Sequence, residues 1–179
     1  DALLTLSDSK MYIDDSGNLS VADIRSRCRR QQTRYGLDLV IVDYLGLLQL
    51  GNKRGSLVAD IAEATRALKI LAKELQVPIM LLCQLSRGSE SRKENGYRPI
   101  LADLRDSGAI EQDADMVLLL YRKALAMRNR KDDSEYGGAP GEEIEDNTAE
   151  VIVAKNRNGP LKTVNLAFQG MFSRFVNPS

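Results

Sequence analysis

The sequence predicts an α/β fold in which a mostly parallel sheet is flanked by helices and the chain closes on a β-hairpin. Three observations predict it. The runs LVIV at 39–42, VPIMLL at 77–82 and MVLLLY at 116–121 are apolar without alternation, as strands covered on both faces are. Between the first two, Leu57, Ile61, Ala64, Leu68, Leu71 and Leu75 recur at steps of four, three, four, three and four, which is one face of a helix. Near the end, TAEVIVAK and LKTVNLAF stand either side of an NRNGP turn, the pattern of two strands joined as a hairpin.

In chain order, KMYIDD at 10–15 reads as a short strand and DDSGNLS as a turn. Ser20 is placed to cap a helix running to about Tyr35, with Asp23 three residues on favouring its positive end and Gly36 ending it. A strand at 37–45 and the loop QLGNKRGS lead into the amphipathic helix. VPIMLLCQL is a second buried strand, followed by a polar loop from 86 to 99, a mostly helical ILADLRDSGAIEQD and a third strand, MVLLLYR. Residues 123–147 are charged and Gly-rich and read as a mobile surface insertion. After the hairpin, MFSRFV forms a last edge, and no internal repeat is present.

The 179 residues, 43% hydrophobic and 28% charged, suit a single domain with a real core. Twenty-five basic and twenty-five acidic residues cancel, so any nucleic-acid surface must be local. Cys28 and Cys83 sit in apolar or helical patterns and read as reduced core thiols; with no histidine, a zinc site is not expected. No run of about 18 uncharged apolar residues exists, and DALLTLSDSK lacks a basic lead and an apolar core, so a cytoplasmic protein is expected.

Parallel sheets bind ligands at the carboxyl ends of their strands, where Asp43, Gln84 and Arg122 fall. An aspartate directly after four sheet-core residues stands at that rim, where it can hold a metal ion through its water shell. The pattern alone equally allows an aspartate that caps the following turn.

The segments LVIVDYLGLLQ, LLCQLSR, LADLRDSGAIEQDAD, VLLLYR and VIVAKNRNGP...TVNLAF, in this order and spacing, resemble the motor domain of DnaB-type replicative helicases, the RecA-like hexameric motors. The resemblance runs from about Tyr12 to Val176, and RDSGAIEQDAD is its most specific part. It implies that Asp43 is the Walker B aspartate, holding Mg²⁺ on the phosphates of ATP. Gln84 matches the residue that senses the γ-phosphate; an amide can donate to a phosphate oxygen and accept from water, although a strand-end amide can also simply satisfy a loop. In LADLRDSGAIEQ, the resemblance gives Arg105 and the backbone amides around Asp106 and Gly108 to the backbone of single-stranded DNA. Asp106 stands where relatives usually carry glutamate, which matters little to a backbone contact. Lys53, Arg54, Arg87, Arg92, Lys93 and Arg98 add positive charge to the same channel, or are ordinary solvated loop charges.

Lys155 and Arg157 match the two cations that each subunit extends into its neighbour's nucleotide site, Arg157 as the arginine finger. The plain alternative is a turn whose backbone angles come from Asn156, Asn158 and Gly159, with two exposed cations. A finger acting in trans implies a head-to-tail ring, six-fold by the resemblance, with primase and a helicase loader as further partners.

The phosphate loop G-x-x-x-x-G-K-[ST] is absent: Gly46 and Gly51 have its glycine spacing, but Asn52 and Lys53 follow. The chain is therefore expected to correspond to the C-terminal part of a motor domain, an incomplete RecA-like fold without the P-loop part, inactive towards ATP alone. By the same resemblance the P-loop strand is central, beside VPIMLLCQL, so an exposed apolar edge is expected there. Two other possibilities are a RadA-type recombination motor and a non-catalytic nucleic-acid-binding or ring-interaction module.

Overall fold

The computed structural model describes residues 9–50, 56–86, 97–104, 108–124, 126 and 147–178. The insertion expected at 123–147 falls almost wholly outside them. The first helix, α1 (Val21–Tyr35), begins as predicted. The Asp23 amide donates to Ser20 Oγ at 3.2 Å and the Ser20 amide to the Asp23 carboxylate at 3.0 Å, a reciprocal capping box. Gly36, at φ 82°, ends the helix in a conformation that costs any residue with a Cβ. Ser20→Ala is expected to cost about 1 kcal/mol, read as faster amide exchange in the first turn of α1.

The strand expected at 10–15 does not form. This segment has an extended-looking sequence but pairs with no strand among the described residues, and it lies along α1 through side chains. Tyr12 stacks on Tyr35 with centroids 5.5 Å apart, and Arg27 bonds to Asp14 and, at 2.8 Å, to Ser16. The Arg27 guanidinium, with Ser16 after it, holds the Asp14 carboxyl at about 2, below the ordinary 3.8. A depressed carboxylate stabilises the folded arrangement above its ordinary value and loses that contribution as pH falls through the depressed one. The tether is therefore expected to release as pH falls from about 4 to about 2, seen as loss of the Tyr12–Tyr35 ring contact by NMR.

The strand expected at 37–45 is β1 (Val40–Val42), and VPIMLLCQL contains β2 (Ile79–Leu81). They pair in parallel, Val42 opposite Leu81. The ladder ends where Leu82 N donates to Val42 O at 3.0 Å and Leu45 N to Leu82 O at 2.9 Å, and the chain turns into a 3₁₀ segment, Leu45–Leu47. The rest of the sheet structure is an antiparallel meander: β3 (Met116–Tyr121), β4 (Thr148–Asn156), β5 (Lys162–Gln169) and the edge β6 (Arg174–Val176). Between the two sheets comes a short helix, α3 (Gly108–Asp113), after a 3₁₀ turn, Leu101–Asp103.

The long helix, α2 (Leu57–Leu75), follows its predicted face: Ile61, Ala64, Leu68, Leu71 and Leu75 are buried. Leu57 is 51% exposed, so the buried face begins at Ile61. This helix joins the two sheets. Ile61 packs with Leu45, Leu104, Ile110, Val117, Leu119, Tyr121 and Ile152. Leu68, Leu71 and Leu75 pack with Ile24, Val42 and Val77. Arg25 and Arg29 of α1 both clasp Glu74 of α2.

Burial on both faces of the strands, expected from their apolar runs, is not met among the described residues. Ile41 is 58% and Met80 47% exposed, and in β3 Val117, Leu119 and Tyr121 are buried while Met116, Leu118 and Leu120 are not. An apolar run shows what a strand can bury, and the described helices cover one side only. Among the described residues β2 pairs only with β1 and β3 only with β4, so each presents an unpaired edge, as expected for β2. Cys28 and Cys83 are free and half-buried, and burial pushes both thiols up. Among the described residues no helix is long and apolar enough to cross a membrane.

Candidate functional site

Asp43 follows β1 directly, and Gln84 follows β2 by three residues. Because these strands are parallel and in register, both residues leave the sheet at the same, carboxyl-terminal rim, in adjacent chains roughly 4.8 Å apart. Both are solvent-exposed. The rim is shaped by a close contact: a Cβ on Gly46 would lie 2.6 Å from the Tyr44 ring, so the turn after Asp43 accepts only glycine without moving that ring. Among the described residues no three His, Cys, Asp or Glu side chains gather to hold a metal unaided. An ion at Asp43 would rely on water and phosphate oxygens for its other ligands, which suits Mg²⁺, a hard ion that keeps several waters and takes one or two carboxylates.

From Gln84 the chain runs straight into a cross-link. Leu85 bridges Leu104 and Ser86 N donates to Asp103 O at 2.6 Å. Leu104 immediately precedes Arg105, so one end of the expected DNA loop is tied to the chain that carries Gln84. Arg105 and Asp106 lie outside the described residues, as do Lys53, Arg54, Arg87, Arg92 and Lys93. Gly108 starts α3 in the open, and a Cβ there would meet nothing within 4 Å, so packing among the described residues does not require this glycine.

The hairpin cations sit elsewhere, at the far end of α3. Lys155 Nζ donates to the Glu111 carbonyl and Arg157 Nη2 to the Gln112 carbonyl. Arg157 N donates to Asp115 O at 2.9 Å, and Arg157 Nη1 faces Asp115 Oδ1 at 3.4 Å. Asp115 Oδ2 takes Lys69 of α2. The Lys69 ammonium first, then the Arg157 and Lys155 charges, hold the Asp115 carboxyl below its ordinary range. Arg157 remains exposed and Lys155 half-buried, so these contacts do not set aside the plain alternative. Nor does the turn depend on left-handed backbone: none of Asn156, Asn158 and Gly159 has a positive φ. A Cβ on Gly159 would lie 2.7 Å from Asn156 Nδ2 and would shift that side chain, whose Oδ1 accepts from Asn158 N at 3.2 Å.

Two expected cations have other occupations. Arg98 pairs with Glu150 at 2.8 Å and donates to Thr163 at 2.9 Å, bracing the meander. Arg122, at the end of β3, lies 3.5 Å over the Phe168 ring centroid; its strand pairs with β4 and not with the β1–β2 pair, so no ladder carries it to the Asp43 rim. A hollow of about 440 Å³ lined by Asp14, Arg27, Arg30, Gln31, Arg34 and Tyr35 includes none of the site residues. Sequence reasoning missed Lys69 and Asp115, whose pairing spans 46 residues; no spacing rule signals it.

The family model described as the DnaB-like helicase C terminal domain matches residues 1–177. The replicative DNA helicase DnaB of Leifsonia xyli subsp. xyli (strain CTCB07) is 48% identical over 172 residues, 96% of this chain and 34% of the relative. The DnaB of Geobacillus stearothermophilus is 42% identical over 177 residues, 98% of this chain and 36% of the relative. This chain thus spans about a third of the length of such curated relatives. Among solved structures, one described as an ATPase domain superposes with a TM-score of 0.81 at 38% identity, covering 99% of this chain and 58% of that one. A DnaB-like replicative helicase, solved in a study of its interactions with primase, gives 0.80 at 38% identity, covering 99% of this chain and 40% of that one. These neighbours give the fold as that of RecA-like ATPase domains. With nearly every residue inside the matched family model, the chain belongs to the DnaB-like helicase C-terminal domain family.

Proposed function

We propose that this chain is part of an ATP-driven DNA helicase motor that works as a six-membered ring on single-stranded DNA and unwinds duplex at the replication fork. The observation that carries the reading is the pair Asp43 and Gln84, exposed together at the carboxyl rim of a parallel strand pair, in a chain of this family. Mg²⁺-ATP, when bound, supplies the phosphoryl group whose transfer to water drives the motor. Asp43 orients the metal's water shell, and Gln84 answers to the state of the terminal phosphate. The Leu85–Leu104 bridge then links that answer to the loop of Arg105, Asp106 and Gly108, with Arg87, Lys53 and Arg54 as further DNA contacts. Arg157, with Lys155, serves the neighbouring subunit's phosphates. Primase and a loader are carried over as partners, and the bacterial cytoplasm, at the nucleoid, as location.

The P-loop motif is not among these 179 residues, so the chain by itself should not turn over ATP. The test is Mg-ATP turnover by the 179-residue chain beside the full-length protein, each with and without single-stranded DNA. Turnover by the full-length protein alone, stimulated by DNA, is expected. Turnover by the short chain would mean that a phosphate-binding loop lies within it; no turnover by either would favour a non-catalytic ring or nucleic-acid-binding module.

A further inference from the structure

Both hairpin cations are engaged within their own chain. A guanidinium bonded to the Gln112 carbonyl and facing Asp115 has two of its nitrogens turned to its own chain, so it can give a neighbour's phosphate fewer of its donors than a released one. Taking Arg157 as the finger, the reading on which this step rests, we infer that the C-terminal end of α3 together with Asp115 is a dock in cis that holds the finger in reserve, and that Lys69 tunes this dock by competing for the Asp115 carboxylate.

The dock follows from ordinary helix chemistry. The last carbonyls of a helix have no donor within it and carry the negative end of its dipole. In α3, which is only six residues long, two of those carbonyls, Glu111 and Gln112, take Lys155 and Arg157. The helix is anchored from its other side, where Thr65 of α2 donates to Asp113 at 2.8 Å. The finger's backbone is fixed as well, by Arg157 N on Asp115 O at 2.9 Å. Release therefore needs only rotation of the side chain, and the hairpin can stay where it is.

Asp115 is what makes the dock adjustable. One carboxylate oxygen faces Arg157 at 3.4 Å and the other holds Lys69. A carboxylate shared between two cations holds each less strongly than it would hold either alone. Asp115 is 54% and Arg157 47% exposed, so the grip is that of a screened surface pair, worth a factor of about five at most. A dock of that strength suppresses finger use when the neighbouring site is poorly formed and yields when it is complete.

The two partners of Asp115 give predictions of opposite sign, which a merely structural role does not. In the full-length ring, Asp115→Asn weakens the dock and is expected to raise DNA-free ATP turnover about two- to five-fold. Lys69→Met leaves Arg157 as the one cation still paired with the Asp115 carboxylate among the described residues, so DNA-free turnover should fall by a similar factor, with recovery in Lys69→Arg. Saturating single-stranded DNA should shrink both differences. Arg157→Ala should remove turnover, and adding Asp115→Asn to it should change nothing further. If Asp115→Asn and Lys69→Met move turnover in the same direction, or Asp115→Asn leaves it unchanged while Arg157→Ala still abolishes it, the dock is overturned and the finger assignment stands. If Arg157→Ala is fully active, the finger assignment fails and the dock with it. Should Asp115→Asn fail to assemble, the fall in Lys69→Met and its recovery in Lys69→Arg decide the matter alone: their absence overturns the dock.

Discussion

Arg157→Ala in the full-length protein is expected, on the proposed function, to lower ATP turnover by about a thousand-fold or more, with assembly and nucleotide binding retained. The magnitude is that of arginine fingers in phosphoryl transfer, where a guanidinium neutralises charge that develops only in the transition state. Because the loss is in the transition state, it should fall on kcat and leave KM nearly unchanged. Lys155→Ala should lose less, since an ammonium offers a point charge where a guanidinium offers a planar fork. Arg157 is the first residue past β4 and exposed, whereas Lys155 is still within the strand and half-buried. Parallel titrations of turnover and nucleotide binding check the prediction.

The second large effect is on stability. Leu71 is 1% exposed and packs in the cluster that joins α1, α2, β1 and Val77. Leu71→Ala is expected to cost about 2–5 kcal/mol, the lost transfer energy plus that of the cavity left behind. That is a large part of the net stability of a domain, about 5–15 kcal/mol. Ile70, its neighbour in the same helix, is 53% exposed, and Ile70→Ala should stay within about 0.5 kcal/mol. Native-state amide exchange along α2 in the full-length protein distinguishes the two. The comparison isolates burial from helix propensity, because both variants place alanine in the interior of the same helix.

Local physics made part of this molecule legible. The Ser20–Asp23 box, the Gly36 stop, the α2 face from Ile61 to Leu75 and the hairpin around residue 157 each depend on residues a few positions apart, and each is found where the sequence puts it. What was not legible depends on partners distant in the chain. Residues 10–15 have a strand-like composition, but a strand exists only where another accepts its hydrogen bonds, and among the described residues none pairs with them. The apolar runs of β1, β2 and β3 said what could be buried; Ile41, Met80 and Leu120 show that coverage is a property of the surrounding elements.

The site divides in the same way. Asp43 and Gln84 were visible as rim positions because strand ends mark themselves in sequence. Asp115 lay inside the most specific motif of the chain, RDSGAIEQDAD, yet nothing in the motif says that its carboxylate stands between Lys69 and Arg157. That arrangement joins α2, the end of α3 and the hairpin, three elements that meet only in the fold. Arg98 shows the reverse: a loop cation that reads as available for DNA is bound to Glu150 and Thr163.

Subunit mixing tests the central claim, that each subunit supplies a metal carboxylate to its own nucleotide and a finger to its neighbour's. Full-length Asp43→Asn and Arg157→Ala proteins, each inactive alone, would be mixed under conditions of subunit exchange, with mixed rings verified by distinct affinity tags, and assayed for ATP turnover. Where an Arg157→Ala subunit keeps Asp43 and its Asp43→Asn neighbour keeps Arg157, one interface in the ring is complete, and the account predicts that turnover returns on mixing. Verified mixed rings that remain inactive would contradict a finger acting in trans, as would an Arg157→Ala ring that is active unmixed.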